Sequence, residues 1–135
     1  MIVLDTSVVV AAFATWHEAH DVAVGALADD PRLPAQVAVE AYSVLTRLPH
    51  PHRVPGPIAA QYLDRAFPPT TRLPVPRDIH AALPGRCAGL GIEGGSVYDA
   101  LVAAIAVEHD AVLVSRDVRA APTYRLIGAT VRMIR

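Results

Sequence analysis

Residues 1–14, MIVLDTSVVVAAFA, hold a four-residue apolar run, then Asp5-Thr6-Ser7, then a second apolar run. A short continuous apolar stretch that ends in capping residues predicts a buried strand followed by a helix. The same order returns near the other end, reversed, in GGSVYDALVAAIAVEHDAVLVSRD (residues 94–117). There a glycine-rich turn leads to Ser96 as N-cap, a strongly apolar helix through about Val107, and the short buried strand AVLVS (111–115). Strands alternating with helices imply a parallel sheet covered on both faces.

Working inward, residues 18–29 carry apolar residues at helical spacing and are closed by Pro31. AQVAVEAYSVLTRL (35–48) is apolar almost all round, the mark of a buried helix, and stops at Pro49. A proline-rich loop follows, and Pro57 opens the helix PIAAQYLDRAF (57–67), ended by Pro68 and Pro69. TRLPV (71–75) reads as a short strand, and residues 77–91 as a helix that Pro84 and Gly85 should kink or divide. ATVRMI (129–134) is a last strand, and no element is assigned to residues 118–128. With no repeat and no long linker, the expectation is one domain over residues 1–135.

The composition is 53% hydrophobic with mean hydropathy +0.34. No apolar stretch reaches the roughly 20 residues that cross a bilayer. The amino terminus also lacks the basic region of a secretory signal, so a soluble cytoplasmic protein is expected. Cys87 is the single cysteine, which excludes an internal disulfide and a multi-thiolate zinc site. All 12 basic residues are arginine. Without lysine there is no phosphate-loop lysine, no Schiff base and no lysine general base. A formal net charge of -1 means that any nucleic-acid partner must be held by a local arginine patch.

The chemistry is carried by acids in costly places, because a carboxylate removed from water costs several kcal/mol unless it is paired or bound to metal. Most of the 13 acidic residues lie near helix ends or polar neighbours. Four do not. Asp5 and Asp117 emerge from the ends of buried strands, the edge where parallel sheets build their sites, although each also suits a cap or turn. Glu40 lies in VAVEAYSV, with Gln36, Val37, Ser43 and Val44 as helical neighbours. Asp99 shares its face with Val102, Ala103 and Ala106, and the helix dipole offsets only about 0.3–1 kcal/mol of its burial. Converging carboxylates make an all-oxygen site suited to Mg²⁺, with Mn²⁺ as a substitute. Such a cation polarises a phosphoryl oxygen and acidifies water.

At these residues the chain resembles the PIN domains, and within them the VapC-like toxins of bacterial toxin–antitoxin pairs. The resemblance rests on IVLDTSVV, the acid within AVEAYSVLTRLP, GGSVYDALVAAIA, and VLVSRD followed by YRLIGATV. It implies a three-layer α/β/α domain with a parallel sheet of four or five strands and the acids at its carboxyl edge. It matches Asp5 and Asp99 to the principal metal ligands and Glu40 and Asp117 to the acids that complete the cluster. Thr6, Ser7 and Ser115 match hydroxyls that orient those carboxylates. One departure stands after Asp117, where no aromatic residue lies two places on. The resemblance further implies an endoribonuclease, an RNA substrate, a VapB-like antitoxin whose tail enters the groove, and a homodimer that forms a heterotetramer or larger assembly with that antitoxin.

Arg116, beside Asp117, is the basic residue best placed to reach substrate phosphate, followed by Arg47, Arg53, Arg86 and Arg119. The histidines at 17, 20, 50 and 52 read as surface residues, and Trp16 and Tyr42 as core or dimer packing. Two competing readings remain. A non-catalytic module binding an antitoxin or RNA has no physical reason to keep buried carboxylates. A phospho-acceptor role for Asp5 lacks the neighbouring acid and the later lysine that such sites use.

Overall fold

A computed structural model describes all residues from Met1 to Arg135. Three parallel strands, β1 (Ile2–Leu4), β2 (Val112–Ser115) and β3 (Thr130–Met133), form a sheet in that order. Seven helices cover it in a three-layer α/β/α arrangement: α1 (Thr6–Phe13), α2 (His20–Leu27), α3 (Ala35–Thr46), α4 (Gly56–Ala66), α5 (Arg77–Leu90), α6 (Ser96–Glu108) and α7 (Ala121–Ile127). Successive residues of a strand face opposite sides of a sheet. Leu113 and Val114 of the central strand are both fully buried, so β2 is covered on both faces. α1 and α6 both pack against it.

The sheet is narrower than the four or five strands expected, because the next extended segment is cut short by Pro34 and the start of α3. Beyond β1, the extended segment Arg32–Pro34 makes an isolated bridge from Arg32 to Val3, and Pro34 makes another to Leu73. Each bridge is made by two bonds, Arg32 N–H to Ile2 O (2.9 Å) with Leu4 N–H to Arg32 O (3.2 Å), and Leu73 N–H to Leu33 O (2.9 Å) with Ala35 N–H to Leu73 O (2.8 Å). Pro34 lacks the N–H that would extend the pairing along β1, and α3 begins at Ala35, which ends the extended segment. The expected strand at residues 71–75 is therefore reduced to the single bridged residue Leu73.

Three further expectations need correction. Gly95, not Ser96, occupies the N-cap of α6, with no side-chain cap; Gly94 at φ +61° makes the turn that precedes it. α5 runs from Arg77 to Leu90 through Pro84, so the helix is not divided there. That ring is exposed, so the carbonyl it leaves without a helical partner lies on the solvent side, where water can satisfy it. Residues 121–127 form α7, which begins with Pro122 in its first turn and ends at Gly128 with φ +101°. Arg86 Nη2 donates to the Ile127 carbonyl at 2.8 Å, capping that end from α5.

One contiguous core runs from Val3 to Ile127, and Ala100, Val102, Ala103, Ala104, Ile105 and Ala106 of α6 all belong to it. Cys87 is buried within the same core as a free thiol. No helix is long and apolar enough to cross a membrane. Because Leu113 is fully buried between two helical layers, Leu113→Ala is expected to cost about 2–5 kcal/mol in denaturant unfolding. A loss below roughly 1 kcal/mol would show that β2 does not carry the core.

Candidate active site

Parallel pairing brings the first acid to the edge. Leu4 registers with Val114, and Asp5 N–H donates to Val114 O at 3.2 Å, so Asp5 emerges beside Ser115. Asp117 follows two residues later on the same edge. Asp5 also caps α1 through its side chain, accepting from Val8 N–H at 3.3 Å. The cap and the site are thus one residue.

Asp5 is only 3% exposed. Its Oδ1 accepts from Ser7 Oγ at 2.5 Å, and its Oδ2 from the hydroxyls of Ser115 and Tyr124, the latter at 2.9 Å. Backbone donors in turn hold the serines: Arg116 N–H donates to Ser7 Oγ at 3.0 Å and Asp117 N–H to Ser115 Oγ at 2.9 Å. Burial raises the Asp5 pKa, and the four donors act against that rise. Tyr124 is buried, and burial together with Asp5, Asp99 and Asp117 raises its pKa, so the phenol stays neutral.

Glu40 projects from the middle of α3, where Thr6 Oγ1 donates to it at 3.0 Å and Gln36 Nε2 at 2.7 Å. Asp117 Oδ1 accepts from the backbone N–H groups of Arg119 (3.0 Å) and Ala120 (3.3 Å) and so shapes the turn into α7. Asp99, in the first turn of α6, makes no hydrogen bond to the protein in this arrangement. Burial pushes its pKa up to about 6, with further increments from Asp117, Glu40 and Asp5. Arg119 opposes this, yet its side chain is 94% exposed and 3.9 Å from Asp117, a weak screen.

Asp5, Glu40, Asp99 and Asp117 line one cavity of about 140 Å³, together with Thr6, Ser7, Val102 and Tyr124. Acids separated by up to 112 positions in the chain thus face a common space with no buried arginine among them. The donor set, carboxylates and hydroxyls alone, fits a hard divalent cation. No three Asp, Glu, His or Cys side chains anywhere stand close enough to form a ready-made ligand cage.

Sequence reading missed Gln36 and Tyr124 as partners of the acids. Gln36 carried a signal, standing one helical turn before Glu40. Tyr124 opens the YRLIGATV segment of the resemblance, but nothing there ties it to Asp5, 119 residues away. Arg116 does not line the acidic cavity; Nη1 lies 3.4 Å from His17 Nε2 and Nη2 lies 3.7 Å from Glu18. It borders a larger cavity of about 790 Å³ shared with Glu18, Val118, Arg125, Met133 and Arg135. Arg47 and Arg53 are engaged by Ser43 and the Leu48 carbonyl, and Arg86 serves as the cap described above. Trp16 is half-exposed and stacks on His52, with centroids 4.0 Å apart.

The family model described as the PIN domain matches residues 2–126. This chain belongs to the PIN-domain family. The PIN domain is 42% identical over 134 residues to Ribonuclease VapC40 of Mycobacterium tuberculosis, spanning 99% of each chain. It is 41% identical over 129 residues to Ribonuclease VapC27 of the same species, spanning 95% of this chain and 93% of that one. These identities place it among the VapC proteins. Among solved structures it is similar to FitAB bound to an IR36 DNA fragment, with TM-score 0.72, 20% identity, and coverage of 98% and 94% of the two chains. FitAcB from Neisseria gonorrhoeae gives TM-score 0.70 at 20% identity, covering 97% and 96%. At that identity the likeness is one of fold.

A carboxyl whose folded pKa is raised contributes stability below its unfolded value near 3.8 that is lost as pH rises through about 6. In EDTA the PIN domain is therefore expected to melt at lower temperature at pH 7.5 than at pH 5. Asp99→Asn should raise the melting temperature at pH 7.5 by about 2–6 °C and flatten that dependence. A lower melting temperature for Asp99→Asn under those conditions would contradict the repulsion inferred here.

Proposed function

We propose that this PIN domain is a Mg²⁺-dependent endoribonuclease, with Mn²⁺ able to substitute, and the toxin half of a VapBC-like toxin–antitoxin pair. The observation that carries the reading is the gathering of Asp5, Glu40, Asp99 and Asp117 around one cavity without a compensating buried cation. The names of its relatives, both ribonucleases, support the same chemistry.

Asp5 and Asp99 would hold the cation most directly, and Glu40 and Asp117 would complete its surroundings. When bound, the cation supplies Lewis-acid polarisation of a phosphoryl oxygen and acidification of water. The chain's own part is preorganisation. Ser7 and Ser115 fix Asp5 in the interior and oppose the rise that burial imposes on its pKa. Thr6 and Gln36 hold both oxygens of Glu40, so its position is set before any ligand arrives. Asp99 keeps its oxygens free of protein donors and open to a ligand. Charge developing on the phosphodiester then meets a site already shaped for it.

Arg119, almost fully exposed beside Asp117, and the arginines of the larger cavity, Arg116, Arg125 and Arg135, offer the local positive patch that an RNA backbone needs. The proposed partners are an RNA substrate, a VapB-like antitoxin and a second copy of this chain, acting in the cytoplasm. A non-catalytic module would gain nothing from the unrelieved repulsion at Asp99.

EDTA is expected to abolish RNA cleavage by the purified protein and added Mg²⁺ to restore it. Asp5→Asn and Asp99→Asn should each lower the rate by at least about 100-fold. Cleaved RNA ends mapped in cells expressing the protein should be missing with Asp5→Ala. Full activity of Asp99→Asn in a preparation free of contaminating RNase would overturn the assignment.

A further inference from the structure

Asp5 presents an unusual count. A carboxylate offers about four lone-pair positions, and the protein fills that number with Ser7 Oγ, Val8 N–H, Ser115 Oγ and Tyr124 Oη. An acid meant to bind a cation directly must release one of these donors. Three of them are held elsewhere. The Val8 N–H is fixed by the first turn of α1. Ser7 and Ser115 each accept a backbone N–H, from Arg116 and Asp117, which pins the hydroxyl oxygen and leaves its proton directed at Asp5.

The Tyr124 hydroxyl differs. Asp5 is its one hydrogen-bond partner, and its residue lines the same cavity as Asp5, Asp99 and Asp117. A phenolic O–H turns about its C–O bond without moving the ring, so releasing Asp5 requires no repacking of α7.

We propose that Tyr124 is the exchangeable donor of the site: its hydroxyl occupies one acceptor position of Asp5 and yields it to an incoming divalent cation, turning an oxygen lone pair toward the cavity. The proposal rests on the cation-site reading given above. Tyr124 is on this account a positioning residue that competes with the cation for Asp5. It also stabilises the buried carboxylate until the cation arrives. The cation replaces the phenol's hydrogen bond at one oxygen of Asp5, and the hydroxyl keeps its own proton.

The two roles predict effects of opposite sign for Tyr124→Phe, which keeps the ring. In EDTA the variant should melt roughly 3–6 °C lower, having lost one donor to a buried acid. In calorimetric titration with Mn²⁺ and no RNA, it should bind roughly 3- to 10-fold tighter than the wild type, having lost a competitor. Ser115→Ala should instead bind more weakly, because its pinned hydroxyl orients Asp5 without leaving it. Unchanged or weaker Mn²⁺ binding by Tyr124→Phe overturns the proposal. A measurement on the unaltered protein serves if the variant does not fold: the NMR signal of the Tyr124 hydroxyl proton, hydrogen-bonded to Asp5, should shift or be lost on titration with Mg²⁺. Persistence of that signal unchanged at saturating Mg²⁺ likewise overturns it. Failure of the underlying reading looks different, since the wild type would then bind no Mn²⁺, or Asp99→Asn would bind it equally well.

Discussion

Asp5 carries a carboxylate into the interior at the end of β1, and much of the surrounding structure is arranged around the cost of that placement. The residue is 3% exposed and has no arginine beside it, so hydrogen bonds alone offset the cost of burying its carboxyl group. Those donors come from α1, from the end of β2 and from α7. The acid therefore ties together three elements that are remote in the chain. A buried group satisfied in this way is costly to disturb, because removing one donor leaves a desolvated charge short of a partner.

The constraint extends outward through the serines. Ser7 and Ser115 receive backbone donors from Arg116 and Asp117, so the segment leaving β2 is held by the same hydroxyls that hold Asp5. Asp117 then organises the turn into α7, and α7 delivers Tyr124 back to Asp5. Arg86 closes this arrangement from α5 by capping the far end of α7. Glu40 is served separately, by Thr6 from the start of α1 and Gln36 from its own helix. Asp99 alone receives no donor, and burial first, then repulsion from the three other acids facing the same space, pushes its pKa up to about 6. Stability and chemistry pull in opposite directions here, as they do where a site is prepared for a ligand that the fold itself lacks.

Much of this was legible in the residues. Apolar runs ending in Asp5-Thr6-Ser7 and in Ser115-Arg116-Asp117 marked both strand ends, and Asp99 stood out against an apolar helix face. These signals are local: burial of a strand or helix is written in its periodicity, and an acid within such a run is anomalous wherever the chain goes next. The missed helix α7 is short and contains Pro122, which hid its period, and Ser96 was displaced as a cap by a turn that Gly94 alone allows. The sheet was expected to be wider because apolar runs identify extended chain without counting the donors available for pairing. Pro34 removes the donor that would extend the pairing along β1, and α3 begins at the next residue.

Sequence alone determined the alternation of strands and helices, the family, and which four acids sit in costly surroundings, because each depends on neighbours within a few residues. Tertiary structure decided what satisfies them. The pairing of Leu4 with Val114 sets Asp5 beside Ser115, and the packing of α7 sets Tyr124 against Asp5 across 119 residues. Such partners are chosen by strand register and helix docking, which are properties of the whole core and leave no mark on the local pattern.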